Sequence, residues 1–198
     1  MEIPSYDDIR ALHRKHAPSD AAFALVFTHC EIVADIADQL ISRSGADVDP
    51  DLVRAGCLLH DIGVYRLYDA DGRLDGSAYI THGVLGHELL AAEGLPETLC
   101  RFCSHHTGVG VTKEDVLAQN LPLPPADYVP ATPEERMVMY ADKFHSKSTP
   151  PRFVTPDSYA ARVGRFGADK TALFQSLRRH YGDPELAALA AAHGHALT

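Results

Sequence analysis

The chain has 198 residues, 45% of them hydrophobic and 23% charged, a profile that suits one soluble globular domain with a continuous core. Eighteen basic and 27 acidic residues leave a formal charge of −9. That balance argues against stable nucleic-acid binding and against an anionic membrane as partner, and it requires a local positive site for any phosphate-bearing substrate. No apolar run approaches the roughly 20 residues that cross a bilayer, and the opening Met1-Glu2-Ile3-Pro4 lacks the basic and apolar regions of a secretory signal, so a cytoplasmic protein with reduced Cys30, Cys57, Cys100 and Cys103 is expected.

Residues 6–16 read as a short first helix, and Pro18-Ser19-Asp20 offers caps for a longer one over 21–42. Phe23, Val26, Phe27, Cys30, Val33, Ala34, Ala37 and Leu40 recur there at three- and four-residue steps, which makes an apolar stripe on the helix that also carries His29. After a turn over 45–49, Pro50 opens a mostly apolar, buried helix that ends in His60-Asp61 just before Gly63. Residues 69–78 form a polar, turn-rich loop, expected as a lid or wall. A helix over 79–93 carries His82 and His87, and another from Pro96 through Cys103 runs into His105-His106. Residues 121–133 are proline-rich and read as an extended connection. Thr132-Pro133-Glu134-Glu135 starts a helix expected to continue through Lys147 and to carry Asp142, and three more helices are expected beyond Pro151. No run of alternating β-branched residues and no repeat is visible, so the fold class is all-α.

A single histidine on a helix is more often hydrogen-bonded or superficial than a ligand. Here His29, His60-Asp61, His82, His105-His106 and Asp142 each stand on or at the end of a different expected helix. Helices that converge on one point with imidazole and carboxylate inward are how bundles build metal sites. An apolar helix that ends in His-Asp also asks for a cation, because a buried, unpaired carboxylate is costly.

These residues resemble the HD superfamily of metal-dependent phosphohydrolases in its HDIG branch, through Leu58-Leu59-His60-Asp61-Ile62-Gly63. The resemblance extends to Thr28-His29-Cys30-Glu31, Thr81-His82-Gly83, His105-His106-Thr107-Gly108 and Tyr140-Ala141-Asp142-Lys143. It implies an all-helical HD bundle whose metal-binding core spans about 19–149, with a C-terminal helical extension over 150–198 in the same domain. It also implies one metal held by His29, His60, Asp61 and Asp142, with Asp61 free to bridge to a second held by His82 and His106 or His105. His106 ranks first of the pair, because the ligand directly precedes Thr-Gly in the similar diadenosine tetraphosphate hydrolases, whereas the HD-GYP phosphodiesterases use a His-His pair. Asp61 and His60 are the expected catalytic residues, acting through metal-activated water on a phosphate ester or anhydride of a nucleotide.

Mixed imidazole and carboxylate ligation suits one or two ions of iron, manganese, nickel or zinc. Relatives often carry Lys or Arg where this chain has Val64, so Arg66, Lys143 and Lys147 are candidate phosphate contacts, and His87 and Thr107 are candidate substrate contacts. A mixed-valent di-iron oxygenase of the HD type is the alternative enzyme; its usual Lys would fall at Gly110. A non-catalytic nucleotide-sensing HD domain is the third reading, and an oligomer is compatible with all three. Cys100-x-x-Cys103 reads as two core thiols on one helix, and Asp69-x-Asp71-Gly72 fails the calcium-loop pattern because Ile80 stands at position twelve. His13, His16, His180, His193 and His195 lie outside the ordered pattern and are expected at the surface.

Overall fold

A computed structural model describes residues 2–198. The expected all-α class is what it shows. α1 (Tyr6–His16) starts at a capping box in which Ser5 and Asp8 satisfy each other's backbone amides. α2 (Asp20–Ser44) is capped by Ser19 and ends at Gly45, whose φ of 65° is the left-handed turn that stops a helix. α3 (Pro50–Leu59) has Asp49 as its cap and proline as its first residue. Two 3₁₀ segments follow, Ile62–Leu67 and Tyr79–Thr81, then α4 (His82–Ala92) and α5 (Glu97–Ser104).

α6 (Lys113–Ala118), unforeseen in the sequence, starts at a Thr112/Asp115 capping box. α7 (Pro133–Asp142), α8 (Pro156–Val163), α9 (Ala168–Tyr181) and α10 (Leu186–His193) complete the helices. None is long and apolar enough to cross a membrane, among the described residues.

α2 is the spine. It packs against α3, α7 and α9, and its Ile32, Ile36 and Leu40 are fully buried, each contributing on the order of 2 kcal/mol through removal from water. α3 lies between α2 and α5, so nearly every side chain from Val53 to Leu59 is buried. The Arg101 guanidinium meets Glu135 at 2.6 and 3.1 Å, a two-pronged pair that ties α5 to α7. The buried apolar cluster runs from Ile9 to Ala190 and so includes the last three helices.

The helix expected through Lys147 instead stops at Asp142. His145–Ser146 forms β1, which pairs antiparallel with β2 (Arg152–Phe153) across the Pro150-Pro151 turn, and β2 pairs in parallel with β3 (Ala196–Leu197). Pro150 and Pro151 bar any helix from running on past this segment, and residues 145–146 take their backbone partners from β2 instead of from a helical turn. This small sheet was invisible as a pattern because each strand has two residues, too short for alternation to show.

Candidate metal centre

Five elements deliver the site. His29 projects from the middle of α2, His60 and Asp61 end α3, His82 begins α4, His106 follows α5, and Asp142 is the last residue of α7. Gly63 makes this possible: a Cβ there would lie 2.0 Å from the His82 carbonyl oxygen and 2.3 Å from the Gly86 nitrogen. Only glycine lets the 3₁₀ segment after Asp61 press directly on the first turn of α4.

Asp61 lies at the centre with one oxygen turned each way. Oδ2 is 3.1 Å from His29 Nε2 and 3.3 Å from His60 Nε2, while Asp142 Oδ1 is 3.1 and 3.5 Å from the same two nitrogens. Oδ1 is 3.3 Å from His82 Nε2 and 3.6 Å from His106 Nε2, and those two nitrogens are 3.0 Å apart. Two groups of ligand atoms result, His29/His60/Asp61/Asp142 and Asp61/His82/His106, each close enough to surround one ion. Asp61 Oδ1 is buried and has no hydrogen-bond partner among the described residues. A buried carboxylate oxygen left so would cost several kcal/mol, so the orphaned atom and the imidazole-rich donors around it fit a pair of cations.

The outer nitrogens fix the inner ones. His60 Nδ1 lies 2.7 Å from the Cys57 carbonyl, His82 Nδ1 2.5 Å from that of Tyr79, and His106 Nδ1 3.0 Å from that of Phe102. A carbonyl only accepts, so each ring carries a proton on Nδ1 and turns Nε2 into the centre. Burial opposes a second proton on His60, but the Asp61 and Asp142 carboxylates outweigh it and raise this imidazole well above its ordinary range. His29 Nδ1 is instead 2.9 Å from Nδ1 of His145, whose Nε2 is 3.0 Å from His195 Nδ1.

Burial, followed by the neighbouring rings, holds His106 well below the usual imidazole range, and burial lowers His82. Both are therefore neutral, as ligands must be. Burial opposes ionisation of Asp61 and Asp142 too, but Lys147 and His60 beside the first and Lys143 beside the second outweigh it, holding both carboxyls well below their ordinary range. Lys147 Nζ donates to Asp61 Oδ2, and Lys143 Nζ donates to Asp142 Oδ2 at 2.8 Å and to the His106 carbonyl at 3.0 Å. Val64 is buried against the same cavity as Lys147. The positive charge missing at Val64 thus arrives from the chain just after α7.

Several candidates lie elsewhere. His105 turns away to the Ser104 hydroxyl and the Arg101 carbonyl, as expected if only its neighbour joins the centre. His87 lies between Ser104 and Glu97, and Arg66 is exposed with its guanidinium 3.5 Å from Glu88; neither borders the cavity over Asp61. Thr107 and Lys143 do border it, with Tyr79 and Ile80. From the 69–78 loop, Leu74 reaches the adjoining cavity.

Of the histidines expected at the surface, His13 is fully buried between the Leu58 carbonyl and the Tyr65 hydroxyl, while His195 is half-buried and stands behind His145. His145 itself carried no signal, since its link to His29 depends on the strand that replaces the expected helix. The four cysteines are buried thiols.

A family model described as HD domain matches residues 26–147, more than half of the chain. The chain is 42% identical over 120 residues to an uncharacterised protein of Methanocaldococcus jannaschii, a match covering 59% of this chain and 64% of that protein. It is 36% identical over 128 residues to the tRNA (cytidine(56)-2′-O)-methyltransferase of Picrophilus torridus, covering 65% of this chain and 33% of the relative. The protein of the same name from Thermoplasma volcanium is 34% identical over 140 residues, 71% of this chain and 36% of the relative. The chain therefore spans less than two thirds of the first relative and about a third of the other two.

Among solved structures, the HD domain of the L. monocytogenes phosphodiesterase PgpH superposes with a TM-score of 0.54 at 18% identity, covering 93% of this chain and 98% of that one. The same domain in complex with cyclic-di-AMP gives 0.53 at 17%, covering 93% and 96%. At these identities the likeness is one of fold.

Proposed function

The chain belongs to the HD domain family, and on that premise we propose that it is a metal-dependent phosphohydrolase that cleaves a phosphate ester or anhydride of a nucleotide at a dinuclear centre. The observation that carries this reading is the divided carboxylate of Asp61, one oxygen facing His29 and His60 and the other His82 and His106. When bound, two divalent ions of iron, manganese, nickel or zinc supply water made acidic near neutral pH and positive charge for phosphoryl oxygens.

The chain's own residues do the rest. Asp142 and the four histidines would hold and space the ions, and Asp61 would link the two halves. Lys143 and Lys147, paired with Asp142 and Asp61, line a cavity of about 360 Å³ together with Arg162, Ser146 and Ser148, and are the cations offered to phosphate oxygens beside the centre. This is the local positive site that a chain of net charge −9 needs. Tyr79, Ile80 and Thr107 wall the smaller cavity over Asp61, of about 240 Å³, and limit the water that reaches it.

A nucleotide is favoured by the cyclic-di-AMP held by one similar solved domain. The methyl transfer named for two relatives is not carried over, because about a third of each is matched.

Elemental analysis of anaerobically purified protein, joined to a phosphate-release screen over nucleotides, dinucleoside polyphosphates and cyclic dinucleotides, tests the reading. Two metal ions per chain and turnover reduced at least a thousandfold by Asp61→Asn are expected. Full activity in a His60→Ala, Asp61→Ala double variant overturns it, and two irons with a mixed-valent signal and substrate oxidation replace it with the oxygenase.

A further inference from the structure

A second cavity, of about 330 Å³, adjoins the space over Asp61. It shares Ile80, Thr107 and Gly108 with the space over Asp61, and it shares Tyr159 with the basic cavity on the other side. Its chemistry is the opposite of that cavity's. Val109, Val163, Leu121 and Phe166 line it, and its one cation, Lys170, is committed to Asp115 and to the Gly110 carbonyl. One cation and one carboxylate cancel there, whereas the basic cavity sets Lys143, Lys147 and Arg162 against Asp142 alone.

Three spaces thus lie side by side: a basic one, the metal-flanked one and one without net charge. A phosphate ester whose phosphorus lies at the middle space must place its organic part on one side, and the apolar-lined side is the one where a flat ring displaces the least hydration of charged groups.

Size and lining narrow the occupant. The volume is about twice that of an apolar protein cavity that holds a benzene ring, so it admits a ring system larger than one benzene. Phe166, 59% exposed overall, borders this cavity, and Tyr159 is half-buried in its wall, which gives aromatic faces for a flat ring. Gln119 adds an amide at the rim, able both to donate to and to accept from a ring edge.

We propose that this cavity is the substrate's heteroaromatic subsite, in which the base of a nucleotide packs between the loop 107–111 and the α8–α9 corner. The proposal rests on the phosphohydrolase reading for the placement of phosphorus. It also gives the C-terminal extension a task, because Tyr159, Val163, Phe166 and Lys170 all come from it. The family's metal-binding core alone would leave this wall missing.

The test is binding, not turnover, so that it can fail separately from the hydrolase reading. Phosphonate analogues of the adenosine, guanosine, cytidine and uridine 5′-monophosphates, whose carbon–phosphorus bonds water does not cleave, are titrated calorimetrically into metal-loaded protein beside the phosphonate analogue of ribose 5-phosphate and n-octyl phosphonate. At least one nucleoside phosphonate is expected to bind tenfold or more tightly than the ribose compound. Phe166→Ala, at an exposed position that leaves the core intact, and Val163→Asn are each expected to reduce that ratio by fivefold or more. A ratio near one for all four bases, an unchanged ratio in Phe166→Ala, or tightest binding by the octyl compound overturns the proposal. If the ratio and its loss are seen but no phosphate ester is ever turned over, the subsite stands and the hydrolase reading falls.

Discussion

His145 holds His29 from behind, Nδ1 to Nδ1 at 2.9 Å, and is the one ring in contact with the centre's outer nitrogens; the other three ligand histidines are anchored on backbone carbonyls. A carbonyl can only accept, whereas an imidazole can give or receive, so His29 needs His145 in the tautomer with a lone pair on Nδ1. His195 secures that tautomer by accepting from His145 Nε2 at 3.0 Å, and β3 keeps His195 in place through its parallel pairing with β2. His195→Phe is therefore expected to weaken binding of the ion on the His29 side severalfold, less than the roughly ten- to hundredfold that losing a ligand's direct partner costs. Competitive chelator titration checks it. The ion between His82 and His106 should keep its affinity in the same titration, and equal weakening of both would show a general loss of structure instead.

His13 gives a prediction about pH. It is fully buried against the Leu58 carbonyl at 2.8 Å and the Tyr65 hydroxyl at 3.0 Å, and burial pushes its imidazole from 6.5 down to about 4. Below pH 6.5 the unfolded chain takes up a proton here that the native chain refuses. The stability contribution of this site is thus complete above pH 6.5 and is lost as pH falls toward 4. At 1.36 kcal/mol for each pH decade, about 2 kcal/mol is lost by pH 5 and about 3 kcal/mol in all. Other buried neutral histidines add to the same trend, so the decisive quantity is the difference between the wild type and His13→Gln, whose amide can still reach the Leu58 carbonyl. Urea midpoints measured at pH 7.5 and pH 5 should show the wild type losing about 2 kcal/mol more than the variant, and parallel losses would refute the assignment.

How much of this was legible in the sequence follows from what each residue depends on. His29, His60, Asp61, His82, His106 and Asp142 stand on helices whose caps and apolar spacing are local signals, so their order along the chain foretold their meeting in space. The ranking of His106 over His105 came from the resemblance, through the Thr107-Gly108 that follows it, and not from local helix signals, since α5 ends at Ser104. His145, His195 and the wall built by α8 and α9 were not readable, because each depends on a two-residue strand or on contacts between segments 50 or more residues apart. Arg66 failed for the converse reason. It is near Asp61 in sequence, but the 3₁₀ turn points it at Glu88 on the outer surface, while Lys147, 86 positions from Asp61, reaches the carboxylate.

Gly63→Ala tests the close approach that aligns the two halves of the centre. The new methyl would fall 2.0 Å from a backbone oxygen of His82 and 2.3 Å from the Gly86 nitrogen, and backbone cannot swing aside as a side chain can. Overpacking of this kind costs about 3 kcal/mol or more, which for a chain of this size lowers the melting temperature by roughly 6–12 °C. The displacement falls on the first turn of α4, so the ion on the His82 side should be lost before the other. Metal content of the folded variant at 10 °C should approach one ion per chain, and two tightly bound ions would contradict the geometry.

Lys147 can be separated from the metal ligands by its charge. Its ammonium donates to Asp61 Oδ2, the oxygen that His29 and His60 also face, and Asp61 in turn raises the lysine's pKa against the opposing effect of burial. In metal-free protein this pair offsets the buried charge of Asp61, and breaking such a pair from one side costs about 3–5 kcal/mol. A bound cation would offset the same charge without the lysine. Lys147→Met, similar in length and without charge, should therefore melt well below the wild type when stripped of metal and within a few degrees of it when loaded with manganese. The loaded variant should still turn over phosphate esters poorly, through a raised KM, because the charge aimed at the phosphate is gone. Equal melting deficits with and without metal would mean that Lys147 acts through packing alone.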